Sequence, residues 1–220
     1  MSTTDEGARV PRADTGLIRC TERDLALLRW VGDQYAVSLP QLARLMGRSE
    51  HAARWLRARW HRAGLVEGHA LLVGRPVFVW LTREGSRVAA VDYKPWVPNA
   101  GMVAHIEAVN ETRLWVAERR PGAAWTCERA LTSQGTPGSL RSRSHRPDAV
   151  LQVDDGRRIA IEVELTLKSR ARLEQIVARL LAEFDAAWYF AAADVGRALE
   201  PLAQRSGGRL HVAPLVGGPS

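Results

Sequence analysis

The sequence predicts a mixed α/β chain, α+β in layout and built in two parts, and three observations carry that expectation. Residues Thr21 to Ala63 hold three capped helical patterns in a row, and two short strand-like stretches follow them. A Pro- and Gly-rich stretch, YKPWVPNAG, then interrupts the pattern. Beyond it the signals run in the order α-β-β-β-α-β, with Asp148, Glu162 and Glu164 all on one predicted strand hairpin.

Residues 1–17 are small and polar without periodicity, so a disordered arm is expected there. The first helix starts at Thr21, whose TERD string reads as a capping box answered by Asp24, with Leu25, Leu28 and Val31 facing inward. Ser38 caps a second helix that tolerates Pro40 in its first turn and buries Leu42, Leu45 and Met46. Gly47-Arg48 makes a tight turn. Ser49 caps a third helix that runs to Ala63 and stops at Gly64. Strands are expected over His69–Val73 and Val77–Leu81, joined by Gly74-Arg75-Pro76, before LTREGSRVA opens a short closing helix. Three helices followed by a two-stranded wing is the winged helix-turn-helix order, assigned to residues 18–92.

The third helix carries the binding argument. At 100° per residue Glu50, Arg54, Arg57 and His61 fall on one stripe, with Ala52, Leu56, Trp60 and Ala63 opposite. A recognition helix needs an apolar back and a cationic front that enters the major groove of double-stranded DNA. Arg54 and Arg57 are placed near bases, since a bidentate Arg reads guanine. Arg48, Arg62 and the wing residue Arg75 are placed on phosphates. The alternative is a solvated face on a helix used for protein contacts.

Residues 93–101 read as a linker, with Trp96 packed at the junction, and residues 102–216 form the second part. Its first helix, Met102 to Glu118, puts Asn110 inside an apolar stripe and Glu107 on the edge, and either is a candidate to meet the carboxylates. A strand is expected from Ala124 to Leu131. A Ser-, Gly- and Arg-rich loop, Thr132 to Arg146, follows and offers Arg141 and Arg143 to a nucleic-acid backbone.

The hairpin register decides whether the carboxylates meet. In IAIEVELT, Ile159, Ile161, Val163 and Leu165 face a core while Glu162 and Glu164 share the other side. A two-residue turn at Asp155-Gly156 sets Asp148 opposite Val163, on the wrong face. A three-residue loop, Asp154-Asp155-Gly156, pairs Val153 with Arg157 and sets Asp148 across from Glu162; Gly156 supplies the positive φ that this loop requires. The resulting cluster repels itself unless a cation or proton intervenes, and such oxygens suit Mg²⁺ or Mn²⁺. After it, Ser169 caps a helix burying Leu173, Ile176, Val177, Leu180, Leu181 and Phe184, and a strand (AAWYFAA), a helix and a last strand complete the chain.

Pro147-Asp148 and Glu162-Val163-Glu164 resemble the two elements of the PD-(D/E)xK nuclease superfamily, whose restriction-endonuclease-like core has this αβββαβ order. The resemblance implies a metal held by Asp148 and Glu162 that activates water for phosphodiester cleavage, with Glu164 standing where Lys is usual and Lys168 within range to reach back. The two parts in this order also resemble the replication-relaxation family of actinobacterial plasmids and integrative elements. The matching residues are the LTREGSRVA closure, the AHIEAVNETR helix (His105, Asn110, Glu111), Pro147-Asp148 and EVELTLKS, over roughly Ile18 to Leu215. That resemblance implies a role in the replication or maintenance of mobile DNA.

Composition narrows the classes. The formal charge is +7, carried by 29 Arg and two Lys among 31 basic residues, which favours a polyanionic partner. The longest apolar run is far short of a membrane span and no signal-peptide pattern is present, so no membrane partner and a cytoplasmic location are expected. Cys20 and Cys127 have neither the count nor the spacing of a zinc site or disulfide framework. Three functions remain: a DNA-binding protein of a mobile element, a Mg²⁺- or Mn²⁺-dependent nuclease or nickase targeted by the winged helix, and a protein whose second part is a homodimerisation scaffold.

Overall fold

A computed structural model describes residues 20–133 and 145–217. The expected arm at 1–17 and the basic-loop residues Arg141 and Arg143 lie outside the described residues. The first part comprises α1 (Glu22–Asp33), β1 (Val37–Ser38), α2 (Leu39–Met46), α3 (Glu50–Arg62), β2 (Val66–Ala70), β3 (Val77–Leu81) and α4 (Arg83–Val88). Local chemistry sets each helix start. Thr21 and Asp24 form a reciprocal capping box on α1, Ser38 and Gln41 form another on α2, and Ser49 accepts from the Ala52 amide on α3. Gly47 ends α2 in the left-handed conformation, φ 59°, which lets α3 depart at once. Leu28, Val31, Leu42, Ala53, Trp60 and Val79 meet in one buried cluster.

The strands of this part form an antiparallel sheet in the order β1-β3-β2. The first hairpin strand was expected at His69–Val73 but lies at Val66–Ala70, because the chain enters the ladder two residues after Gly64 and pairs Val66 with Leu81. Residues 71–76 therefore form a six-residue tip in place of a three-residue one.

After irregular residues 92–99 and a 3-10 turn (Ala100–Met102), the second part runs α5 (Val103–Arg119), β4 (Ala124–Cys127), α6 (Glu128–Ser133), β5 (Ala149–Gln152), β6 (Arg158–Glu164), α7 (Arg170–Glu183), β7 (Ala186–Ala191), α8 (Ala193–Arg205) and β8 (Leu210–Pro214). Its sheet has the order β4-β5-β6-β7-β8, antiparallel through β6 and parallel from β6 to β8. Side chains alternate between two buried layers. Leu151, Ile161 and Phe190 pack with Val109 and Val116 of α5, while Ala160, Ala187 and Tyr189 pack with Leu173, Ile176 and Leu180 of α7 and Leu199 of α8. The expected strand to Leu131 stops at Cys127, which pairs with Ala149 at the start of β5; after one more backbone contact, from the Glu128 amide to the Asp148 carbonyl, the chain coils into α6.

The two parts are joined by buried polar contacts as well as by residues 93–101. Asn110, fully buried, donates from Nδ2 to the Ala36 carbonyl (2.9 Å) and to Gln41 Oε1 (3.0 Å). Arg113 on α5 pairs with Asp33 at 3.2 Å, and Arg129 stacks between the rings of Tyr35 and Tyr93. Trp96 packs edge-on against Trp80, ring centroids 5.9 Å apart, at the junction where it was expected.

Candidate functional site

Two regions gather the residues singled out from sequence. The first is the outer face of α3. Its back is anchored by Ala53 and Trp60, and the Trp60 indole N–H donates to Asp24 at 3.1 Å. Arg54, His61 and Arg62 are exposed on this helix, and Arg48 is exposed in the turn before it. Arg54 lies 3.4 Å from Glu50, a one-turn pair that water weakens, and His61 lies 3.3 Å from Glu67.

Arg57 departs from its expected place. Its guanidinium donates to the Gly68 carbonyl of β2, at the margin between the exposed and buried sides of α3. Gly68 allows that approach, since a Cβ there would stand 3.3 Å from Arg57 Nε and 2.6 Å from the Phe78 carbonyl. Arg57 thus fastens the hairpin to the helix through one guanidinium nitrogen. Arg75, expected on a phosphate, lies 3.5 Å from Glu107 of α5 and remains half-exposed. Glu107 and Asn110 contact the first part, and neither meets the carboxylates.

The second region is the carboxylate cluster. The hairpin takes the three-residue loop: Val153 accepts from Gly156 and donates to Arg157, and Gly156 has φ 84°. The ladder pairs Ala149 with Ile161 and Val150 with Ala160, so one further step sets Asp148 across from Glu162. Both glutamates lie on the face that α7 and α8 cover, which leaves Glu162 3% and Glu164 7% exposed.

Each acid has its own partner. Asp148 Oδ2 accepts from the Val163 amide at 2.7 Å and Oδ1 meets His105 Nε2 at 2.9 Å. Glu162 Oε1 meets His145 Nε2 at 2.8 Å. Lys168 reaches back from the segment after β6 to pair with Glu164. The hydrogen bond to Asp148 raises His105 above the usual imidazole value. Burial, with the neighbouring Asp148 charge, pushes Glu162 well above the carboxylate range, and burial pulls His145 down. Burial thus shifts both members of the Glu162–His145 contact toward their neutral forms. Burial also lowers Lys168. Tyr189, paired with Glu162 across β6 and β7, is 1% exposed, and its hydroxyl has no hydrogen-bond partner among the described residues.

A divalent cation needs deprotonated oxygens with free lone pairs. Here Asp148 has both oxygens engaged, and Glu162 Oε1 is engaged by His145. No group of three His, Cys, Asp or Glu side chains is gathered for a metal among the described residues. Asp148 and Glu162 are thus answered from within the chain, by His105, the Val163 amide and His145. The two imidazoles that answer the acids come from sequence positions 43 and 17 residues away. His145 was visible as part of the basic loop and His105 as part of the α5 motif, but nothing in the chain pairs them with acids before it folds.

No helix among the described residues is long and apolar enough to cross a membrane. A scan against protein-family models finds no match, and a search of curated proteins finds no significant match.

Proposed function

We propose that this chain is a double-stranded-DNA-binding protein of a plasmid or integrative element, acting in its replication, maintenance or regulation. The first part, residues 18–92, acts as a winged helix-turn-helix, and the nuclease-like second part holds it in place without cutting. One observation carries the reading: α3 buries Ala53 and Trp60 against the core while Arg54 and Arg62 stand exposed, with Arg48 beside its start. Cations on the outer side of a helix anchored this way suit phosphates and base edges in a major groove. The net charge of +7 favours the same partner, and the motif resemblances support a link to mobile DNA. The partnered carboxylates support the non-cutting half, because the acids are answered by His105, His145 and Lys168 from within the chain.

Equilibrium binding to duplex DNA across a salt series tests the first half. Wild-type affinity should fall steeply with salt, and an Arg54→Ala/Arg62→Ala double variant should bind at least about tenfold more weakly with a salt slope shallower by about two. Equal affinity in both proteins would remove the assignment. Incubation with supercoiled plasmid and Mn²⁺ tests the second half. Nicking that disappears in Asp148→Ala would replace it with a metal-dependent nuclease.

A further inference from the structure

The outer face of α3 is not centred where the Arg54–Arg57 stripe would put it. With Arg57 drawn to the hairpin, the exposed residues run over about 140° of arc at 100° per residue, from Glu50 and His61 through Arg54, His51 and Arg62 to Trp55. Trp55 lies on this face with 64% of its surface exposed. A large indole offered to water at one margin of a cationic face is a contact a partner can use, since Trp is among the residues most enriched where binding energy concentrates.

The indole's polar atom is already spent. Trp55 Nε1 donates to His51 Nε2 at 2.9 Å, one turn back along the helix. His51 accepts at Nε2, which puts the imidazole's own proton on Nδ1, and the two rings stand edge to face with centroids 6.4 Å apart. That contact orients the ring, leaving its apolar edge and π-face for a partner. In a duplex groove the complementary apolar group is the C5 methyl of thymine, which the major groove alone presents.

We infer that Trp55, oriented by His51 on the exposed face that also carries Arg54 and Arg62, is a specificity-determining contact that reads a thymine methyl group in duplex DNA. This rests on the DNA-binding reading above. The arginines suit phosphates and guanine edges, and Trp55 adds a contact to a thymine methyl that a guanidinium does not make.

The test begins with selection of a binding site from a random duplex library by the wild-type protein. Thymines of that site are then replaced one at a time by deoxyuridine, and wild type, Trp55→Ala and Trp55→Phe are compared on each duplex. At one or two positions the wild type should lose about fourfold in affinity, the worth of one buried methyl. Trp55→Ala should bind the parent site about tenfold more weakly, keep the wild-type salt slope, and no longer distinguish thymine from uracil. Trp55→Phe should keep most of the discrimination. Since Trp55 is exposed, neither variant disturbs the core. Trp55→Ala that binds and discriminates as wild type does would overturn this inference and leave DNA binding standing. A wild type that selects no duplex would overturn the DNA-binding reading, and this inference with it.

Discussion

His105, in the first turn of α5, brings its Nε2 to 2.9 Å from Oδ1 of Asp148, the residue that leads into β5. The contact closes the sheet edge where the first part meets the second, since Glu128, which follows β4, takes the Tyr35 hydroxyl at 3.0 Å and donates its amide to the Asp148 carbonyl at 2.9 Å. Asp148 is thus held from three directions: by an imidazole, by the Val163 amide and through its own backbone.

Stability should track the charge on His105. Its folded value lies above the ordinary one, so the pair's contribution is fully present below about pH 6.5 and is lost as pH rises through the raised value. Denaturation of wild type and His105→Gln should show the larger gap at pH 6 and a smaller one at pH 9. The effect is modest, because the His105 side chain is 39% exposed and water screens the pair. A gap that does not vary with pH would assign the contact to packing alone.

Glu162 titrates in the opposite sense to a salt-bridged acid. Burial raises its folded value, so the native state holds the proton more tightly and stability is lost as pH climbs above the ordinary glutamate value of about 4.3. Glu162→Gln keeps a donor for His145 and removes the ionisable proton. It should leave the unfolding midpoint unchanged at pH 4 and raise it at pH 8. A lower midpoint for the variant at pH 8 would mean that Glu162 is charged and well paired.

The features legible in the sequence were those set by neighbours in the chain. Thr21 with Asp24, Ser38 with Pro40, and Ser49 mark helix starts because capping is a contact between residues three apart. The hairpin register was legible because Gly156 suits a three-residue loop and only that loop sets Asp148 across from Glu162. The state of the cluster was not. Glu-Val-Glu on a strand reads as one wet face, yet β6 lies mid-sheet and α7 and α8 cover that face. The helical wheel likewise placed Arg57 on the cationic stripe, because it cannot say which edge a following hairpin will claim.

Tyr189 tests how dry the covered face is. Its hydroxyl is buried beside Glu162 without a hydrogen-bond partner among the described residues, and burial pushes its phenol well above the usual value. Tyr189→Phe removes the unsatisfied group and keeps the ring packed against α7 and α8. Stability should stay level or rise by up to about 1 kcal/mol in urea denaturation. A loss above that would reveal a hydrogen bond made by the hydroxyl.

Gly85 in α4 is a steric test of the first part. A Cβ there would stand 1.9 Å from the Leu65 carbonyl oxygen, a backbone atom that also accepts from the Thr82 amide at 3.0 Å. Neither side can yield without breaking the link between α4 and the start of β2. Gly85→Ala should cost about 3 kcal/mol by overpacking despite the better helix propensity of Ala, seen as a lower denaturation midpoint. A variant as stable as wild type would show that α4 shifts freely.

Asn110 decides whether the two parts unfold together. Its amide nitrogen supplies the Ala36 carbonyl and Gln41 Oε1, and Gln41 in turn donates to the Glu107 carbonyl and to Glu111 Oε1, both at 3.0 Å. Asn110→Ala strands the buried Ala36 carbonyl, takes one of two donors from Gln41 Oε1, which keeps the Ser38 amide at 3.2 Å, and opens space in the seam between α2 and α5. Its cost should be about 2–3 kcal/mol, the penalty for stranded buried polar groups. If the seam is what makes unfolding cooperative, the urea slope should also fall as the transition separates into two, because each step then exposes less surface. An unchanged slope with the same loss of stability would mean that Arg113, Asp33 and Arg129 hold the parts together without Asn110. Loss of less than about 0.5 kcal/mol would place no weight on the buried amide at all.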